Sequence, residues 1–76
     1  MAERMLIDAR GSFCPGPLME LIAKLKSGQV GDEYEVLSSD NGSAKDIPEW
    51  VEKAGHEMVE SRQDKGVWHI TVRKKR

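Results

Sequence analysis

Apolar positions along the chain switch between a helical and an extended period. "RMLID" (Arg4 to Asp8) is a short apolar run ended by the polar, glycine-containing "ARGS", and it predicts a strand. From Pro15 the period becomes helical. Leu18, Leu21, Ile22 and Leu25 fall at i, i+3, i+4 and i+7, with Glu20, Lys24 and Lys26 off that stripe and Gly28 as the stop. "EYEVLS" (Glu33 to Ser38) alternates, with Tyr34 and Val36 on one face and Glu33 and Glu35 on the other. "SSDNGS" reads as a turn cluster leading into "SAKD", where Ser43 caps a second helix and Asp46 returns the bond. That helix is expected over about Ala44 to Ala54, burying Ala44, Ile47, Trp50 or Val51, and Ala54, with Gly55 ending it. Pro48 conflicts with it unless the N-terminus moves to Asp46 or Ile47. "HEMVESR" is a weaker strand in which Met58 and Val59 compete for the inward face. Asp64-Lys65-Gly66 signals a hairpin turn. "VWHITVR" closes the chain, with Trp68, Ile70 and Val72 facing one way and Val67, His69 and Thr71 the other.

The order strand, helix, strand, helix, strand, strand defines an α/β fold class. Strands joined through helices are expected to be parallel, and the last pair antiparallel. Alternation within the strands implies one covered sheet face and one open to water. The expected architecture is a two-layer sandwich, βαβαββ, with two helices on one face of a four-stranded mixed sheet. At 76 residues the chain is a single domain, 1–76.

Composition narrows the setting. One cysteine excludes an intrachain disulfide, and there is neither a signal-peptide pattern nor an apolar run near the ~18 residues of a membrane span. A reducing cytoplasm and no membrane are the expectation. The net charge of −1 hides an asymmetry: residues 31–60 carry two Lys/Arg against nine Asp/Glu, a net of −7. Residues 61–76 carry six against one, a net of +5. The tail Arg73 to Arg76 raises nucleic acid as a partner, but a short basic end on a nearly neutral chain reads better as a solvated terminus.

Candidate chemistry concentrates at Cys14, followed by Pro15, Gly16 and Pro17. Proline disfavours helical geometry at the residue before it, so Cys14 is expected as a helix N-cap with Pro15 at the first helical position. A helix start leaves N–H groups unpaired and carries partial positive charge, and both favour an anionic sulfur over a neutral thiol. Pro15 and Pro17 have no N–H, so Gly16 and Leu18 are the donors left near the cap. Gly16 also keeps the approach to the sulfur open, and Arg10 is a nearby cation in sequence. A lone cysteine is ordinarily a buried apolar residue, but such a residue needs no helix start, flanking prolines or neighbouring glycine. An exposed, reactive thiol is the reading that follows.

Other chemistries lack parts. Cys14, His56 and His69 fall short of a four-ligand zinc set, so no metal is expected. Neither histidine is placed beside the thiol as a base, and there is no C-x-x-C for a dithiol cycle. No cofactor loop occurs.

These residues resemble a known family. "DARGSFCPGP" (residues 8–17) is similar to the D-x-x-G-x-x-C-P-x-P signature of the TusA/SirA-like sulfur-carrier proteins, and "DNGSAKDIPEWVEKAGHEM" (residues 40–58) resembles their second segment. The resemblance implies the βαβαββ fold and a persulfide on Cys14. It implies sulfane sulfur received from a cysteine desulfurase or rhodanese-type donor and passed to an acceptor protein, as in tRNA thiolation, cofactor sulfuration or sulfur oxidation. By the same resemblance, Asp8 and Gly11 form the preceding turn. Asp40 and the segment Asp46, Ile47 and Pro48 form the neighbouring loop and second helix start. Ser12 and Phe13 depart from the common pattern, where leucine often follows the glycine, and are candidate partner contacts. A carrier that is a monomeric protein co-substrate, needing no cofactor, is expected. The alternatives are an RNA- or protein-binding regulatory module and a thiol redox sensor.

Overall fold

The computed structural model describes residues 4–11 and 16–76. The elements are β1 (Arg4–Asp8), α1 (Gly16–Ser27), β2 (Glu33–Ser38), α2 (Asn41–Ala54), β3 (Glu57–Asp64) and β4 (Val67–Arg73). The strands form one mixed sheet in the order β1-β2-β4-β3. β1 pairs parallel with β2, and β4 runs antiparallel to both β2 and β3. β2 and β3 therefore point the same way, as their helical connection requires, but β4 lies between them. The reason is burial. Ile70, Thr71 and Val72 are all buried, so β4 needs a neighbour on each side, whereas β3 is exposed from Val59 to Asp64 and suits an edge.

The helices share one sheet face. Leu21 and Leu25 of α1 and Ile47 and Val51 of α2 join Ile7, Ala9, Tyr34, Val36, Ile70 and Val72 in a single core. Strand register explains the selection. Ile7, Val36 and Ile70 form one inward row, and Met5, Tyr34, Val72 and Met58 form the next. The competition between Met58 and Val59 is settled by a β-bulge between Met58 and Glu60. Met58 packs on the core, and Val59 takes the extra position. The hairpin turn has Lys65 at φ 53° and Gly66 at φ 80°. Two positive φ values in a two-residue loop suit the right-handed twist of paired strands.

One expected boundary is corrected. α2 starts at Asn41, not near Ala44, and its N-cap is Asp40, not Ser43. Asp40 Oδ1 accepts from Gly42 N–H at 3.3 Å, and Ser43 Oγ donates to Asp40 Oδ2 at 3.2 Å. A carboxylate caps first-turn donors as well as a serine hydroxyl does, and its charge also complements the helix dipole. Asn41-Gly42 is thus the first turn of the helix. Pro48 lies inside the helix, and the Asp46-Ile47-Pro48 segment is not its start. Ser43 is instead fully buried, while Ala44, Trp50 and Ala54 are only partly so. At the other end Gly55, at φ 84°, donates to Glu52 O and His56 N–H donates to Val51 O, closing the helix.

The second sheet face carries a charge ladder. Arg4, Glu33, Arg73 and Glu57 lie side by side on β1, β2, β4 and β3. Glu33 pairs with Arg4 at 3.1 Å and with Arg73 at 2.5 Å, and Arg73 reaches Glu57 at 3.3 Å. Arg73 first, then Arg4, holds the Glu33 carboxyl below its ordinary range. Glu35 takes Arg4 at 3.7 Å and His69 Nδ1 at 2.8 Å. Opposite charges on adjacent strands support pairing at each step.

Candidate functional site

Because β1 and β2 are parallel, the segments that follow them leave the same end of the sheet. Ala9 N–H donates to Leu37 O at 2.9 Å, which extends the pairing one step beyond β1. Asp8 then turns the chain. Its Oδ1 accepts from Arg10 N–H at 3.2 Å and Arg10 Nε at 2.8 Å, while Oδ2 accepts from Arg10 Nη2 at 2.7 Å. These bonds to Arg10 lower the Asp8 pKa to about 2. Arg10 is therefore a partnered cation, its charge offset by Asp8. Gly11 continues at φ 85°, a left-handed conformation that favours glycine, and its N–H donates to Ser39 Oγ at 3.1 Å. Asp8 and Gly11 together build the expected turn.

Ser12, Phe13, Cys14 and Pro15 lie outside the described residues. The expectations for Cys14 as sulfur bearer, Pro15 as helix starter and Ser12-Phe13 as partner contacts fall on that segment. Description resumes at Gly16, the first residue of α1, two positions after Cys14 in sequence. Pro17 is buried in the first turn, and Leu18 packs on the core. Met19 is exposed. Gly16, Pro17 and Leu18 thus occupy the helix start that the sequence predicts. Pro17 costs the helix little there, since first-turn N–H groups have no partner within it.

The neighbouring wall is the start of α2. Ser38 Oγ accepts from Asp40 N–H at 3.1 Å, and Asp40 caps the helix as described. Ser39 ties this link to Gly11. The starts of two helices, each carrying partial positive charge, therefore stand at the carboxyl ends of two adjacent parallel strands. In open α/β sheets this is where ligand chemistry gathers. It is an environment for an anionic group.

The histidines stand elsewhere. His69 is held on Glu35 on the ladder face, and His56 Nδ1 accepts from Lys75 N–H at 3.1 Å at the opposite end of the sheet. Among the described residues no group of three His, Cys, Asp or Glu is placed to hold a metal. No helix among them is long and apolar enough to cross a membrane. Tyr34 is buried, and Trp68 packs on the core with its Nε1 donating to Asn41 Oδ1 at 2.9 Å. Among the described residues neither Tyr34 nor Trp68 is therefore presented on the ladder face as a platform for a base.

The basic tail differs from the solvated terminus that charge patterning suggests. Lys74 Nζ donates to the carbonyls of Leu25 and Gly28, capping the end of α1, and Lys75 pairs with Glu57 at 3.3 Å. Sequence reasoning missed Lys74, since nothing local links it to residues 46 and 49 positions upstream.

Comparison with known proteins agrees with this frame. The model of the family described as Sulfurtransferase TusA matches residues 5–74. A relative from Archaeoglobus fulgidus, provisionally named a sulfur carrier protein, is 61% identical over 70 residues, covering 92% of this chain and 96% of its own. The sulfur carrier protein TusA of Pseudomonas aeruginosa is 34% identical over 70 residues, covering 92% and 89%. The crystal structure of a SirA-like protein from Desulfitobacterium hafniense superposes with a TM-score of 0.83 at 27% identity, covering 95% of this chain and 99% of that one.

Proposed function

The chain belongs to the TusA family of sulfur carriers, and on that premise we propose that it carries sulfane sulfur as a persulfide on Cys14. The observation that carries the reading is the position of the chain's one cysteine. In sequence it stands between β1 and α1, two positions before the first residue of α1, and the start of α1 shares a sheet end with the start of α2.

Loading is a thiol–disulfide type exchange. The Cys14 thiolate attacks the terminal sulfur of a persulfide on the donor, a cysteine desulfurase or rhodanese-type protein. A new sulfur–sulfur bond forms at Cys14, the donor's sulfur–sulfur bond breaks, and the donor leaves as a thiolate. Delivery repeats the step, with an acceptor protein's thiolate attacking the terminal sulfur on Cys14. Sulfur moves with no net oxidation. No general base is required, because thiolate and persulfide are both anions favoured by a helix start. The chain acts as a protein co-substrate, and tRNA thiolation, cofactor sulfuration and sulfur oxidation would use the same step.

Incubation with a desulfurase and cysteine should add one sulfur atom to the intact mass. The gain should vanish with dithiothreitol and in Cys14→Ser. Absence of uptake from every desulfurase and rhodanese donor tried would refute the proposal.

A further inference from the structure

A cleft of about 290 Å3 opens between α1, α2 and the C-terminal tail. It lies at the end of the sheet away from the starts of α1 and α2, because its His56 precedes β3 and its Lys74 follows β4, where Glu57, Arg73 and Glu33 are in register. Ile22, Leu25 and Trp50 supply its apolar surface, and the side chains of Lys26, Lys74 and Arg76 supply three cations; among the described residues no Asp or Glu lines it. In a chain of net charge −1, that concentration of positive charge is made by folding.

The polar groups have distinct roles. Lys74 is fixed as the cap of α1. Lys26 and Arg76 are exposed, and among the described residues no carboxylate forms a salt bridge with either. His56 Nδ1 is occupied by the Lys75 N–H, so in the neutral ring Nε2 carries the proton and is a donor. Burial, then Lys74, then Arg76 push its pKa down, which favours the neutral ring. The Trp50 ring stands 5.9 Å from the His56 ring at an angle of 36°.

We propose that this cleft binds a small aryl anion, an aromatic ring bearing a phosphate or carboxylate. The ring packs on Trp50, Ile22 and Leu25, and the anionic group meets Lys26, Arg76 and His56. A cavity of about 150 Å3 holds a benzene ring, so this one has room for a ring and its charged substituent. Aromatic contact and charge-assisted hydrogen bonds act together here. A purely apolar ligand forgoes the cations, and a bare anion forgoes Trp50. The site asks nothing of Cys14.

The test is titration followed by nitrogen–proton NMR of the two indole N–H groups. Naphthyl phosphate should shift Trp50 saturably and leave Trp68, held on Asn41 at the other end, unmoved. It should also raise the His56 pKa, now faced by the ligand as well as by Lys74, Lys75 and Arg76. Naphthol and inorganic phosphate should each bind at least about ten-fold more weakly, the equivalent of ~1.4 kcal/mol. The same loss is expected in the Lys26→Glu, Arg76→Glu double variant, whose altered residues are both exposed. Affinity should be unchanged in Cys14→Ser. The proposal is overturned by a missing Trp50 response, by inorganic phosphate binding equally well, or by unchanged affinity in the double variant.

Discussion

Gly28 and Tyr34 fit each other atom by atom. A Cβ on Gly28 would stand 1.6 Å from Tyr34 Oη and 2.9 Å from Cζ, so even alanine forces the buried phenol to move. Among the described residues the buried Oη has no partner that meets hydrogen-bond geometry. Gly28→Ala should therefore lower stability in urea by about 1–3 kcal/mol, the usual range for overpacking. In a Tyr34→Phe background the loss should shrink but not vanish, because Cζ stays in the way, and a double-mutant cycle measures that coupling. Asp8 makes a second prediction at this scale. Its carboxyl carbon should titrate near pH 2, and Arg10→Ala should return it toward about 3.9. Since the folded pKa is the lower one, the pair's contribution to stability is present above about pH 4 and fades as pH falls toward 2.

Among the elements, α2 holds the clearest conflict between local preference and fold. Pro48 stands well past the first turn, where its ring meets the carbonyl four residues back and no N–H completes the ladder. The helix forms because Asp40 caps it and because Ile47 and Val51 are fully buried. Pro48→Ala should raise the unfolding free energy measured in urea, by up to ~3 kcal/mol on the helix-interior scale. A drop in stability would mean that the proline ring makes packing contacts worth more than the missing bond. α1 shows the opposite balance, with Pro17 near its start, where it is tolerated, and its far end closed from outside by Lys74.

The whole molecule has two working ends. In sequence Cys14 falls between β1 and α1, and the tail closes the end of the sheet where α1 stops. Removing residues 74–76 takes away the cap of α1, the Lys75 bond to His56 and the ion pair with Glu57. The truncated chain should lose about 1–3 kcal/mol in urea, the scale for hydrogen bonds to a charged donor. Sulfur loading at Cys14 should persist under folding conditions, since the tail's hydrogen bonds and ion pair among the described residues go to the end of α1, the β2 approach and the start of β3. Truncation from Arg73 would be a poor probe of nucleic acid, because Arg73 belongs to β4 and to the charge ladder.

The sequence by itself determined the periods, and through them much of the fold. The bounds of β1, β2 and β4, the apolar stripe of α1 and the Lys65-Gly66 turn follow from local spacing and turn chemistry. The Pro17-Leu18 start of α1 was legible in the same way, while the expectation for Cys14 falls outside the described residues. What tertiary structure decided depends on partners distant in the chain. Asp40 outcompeted Ser43 as cap, because Ser43 is buried among core neighbours. The bulge chose Met58 over Val59, since β3 had to register with β4 on one side only. β4 took a central place because three of its successive residues had to be buried. Lys74 found α1, and with Lys26, Trp50, His56 and Arg76 it shaped a cationic cleft whose members are scattered from position 22 to 76. Period and turn residues act over a few positions, whereas caps, bulges and clefts are set by which surfaces the fold brings together.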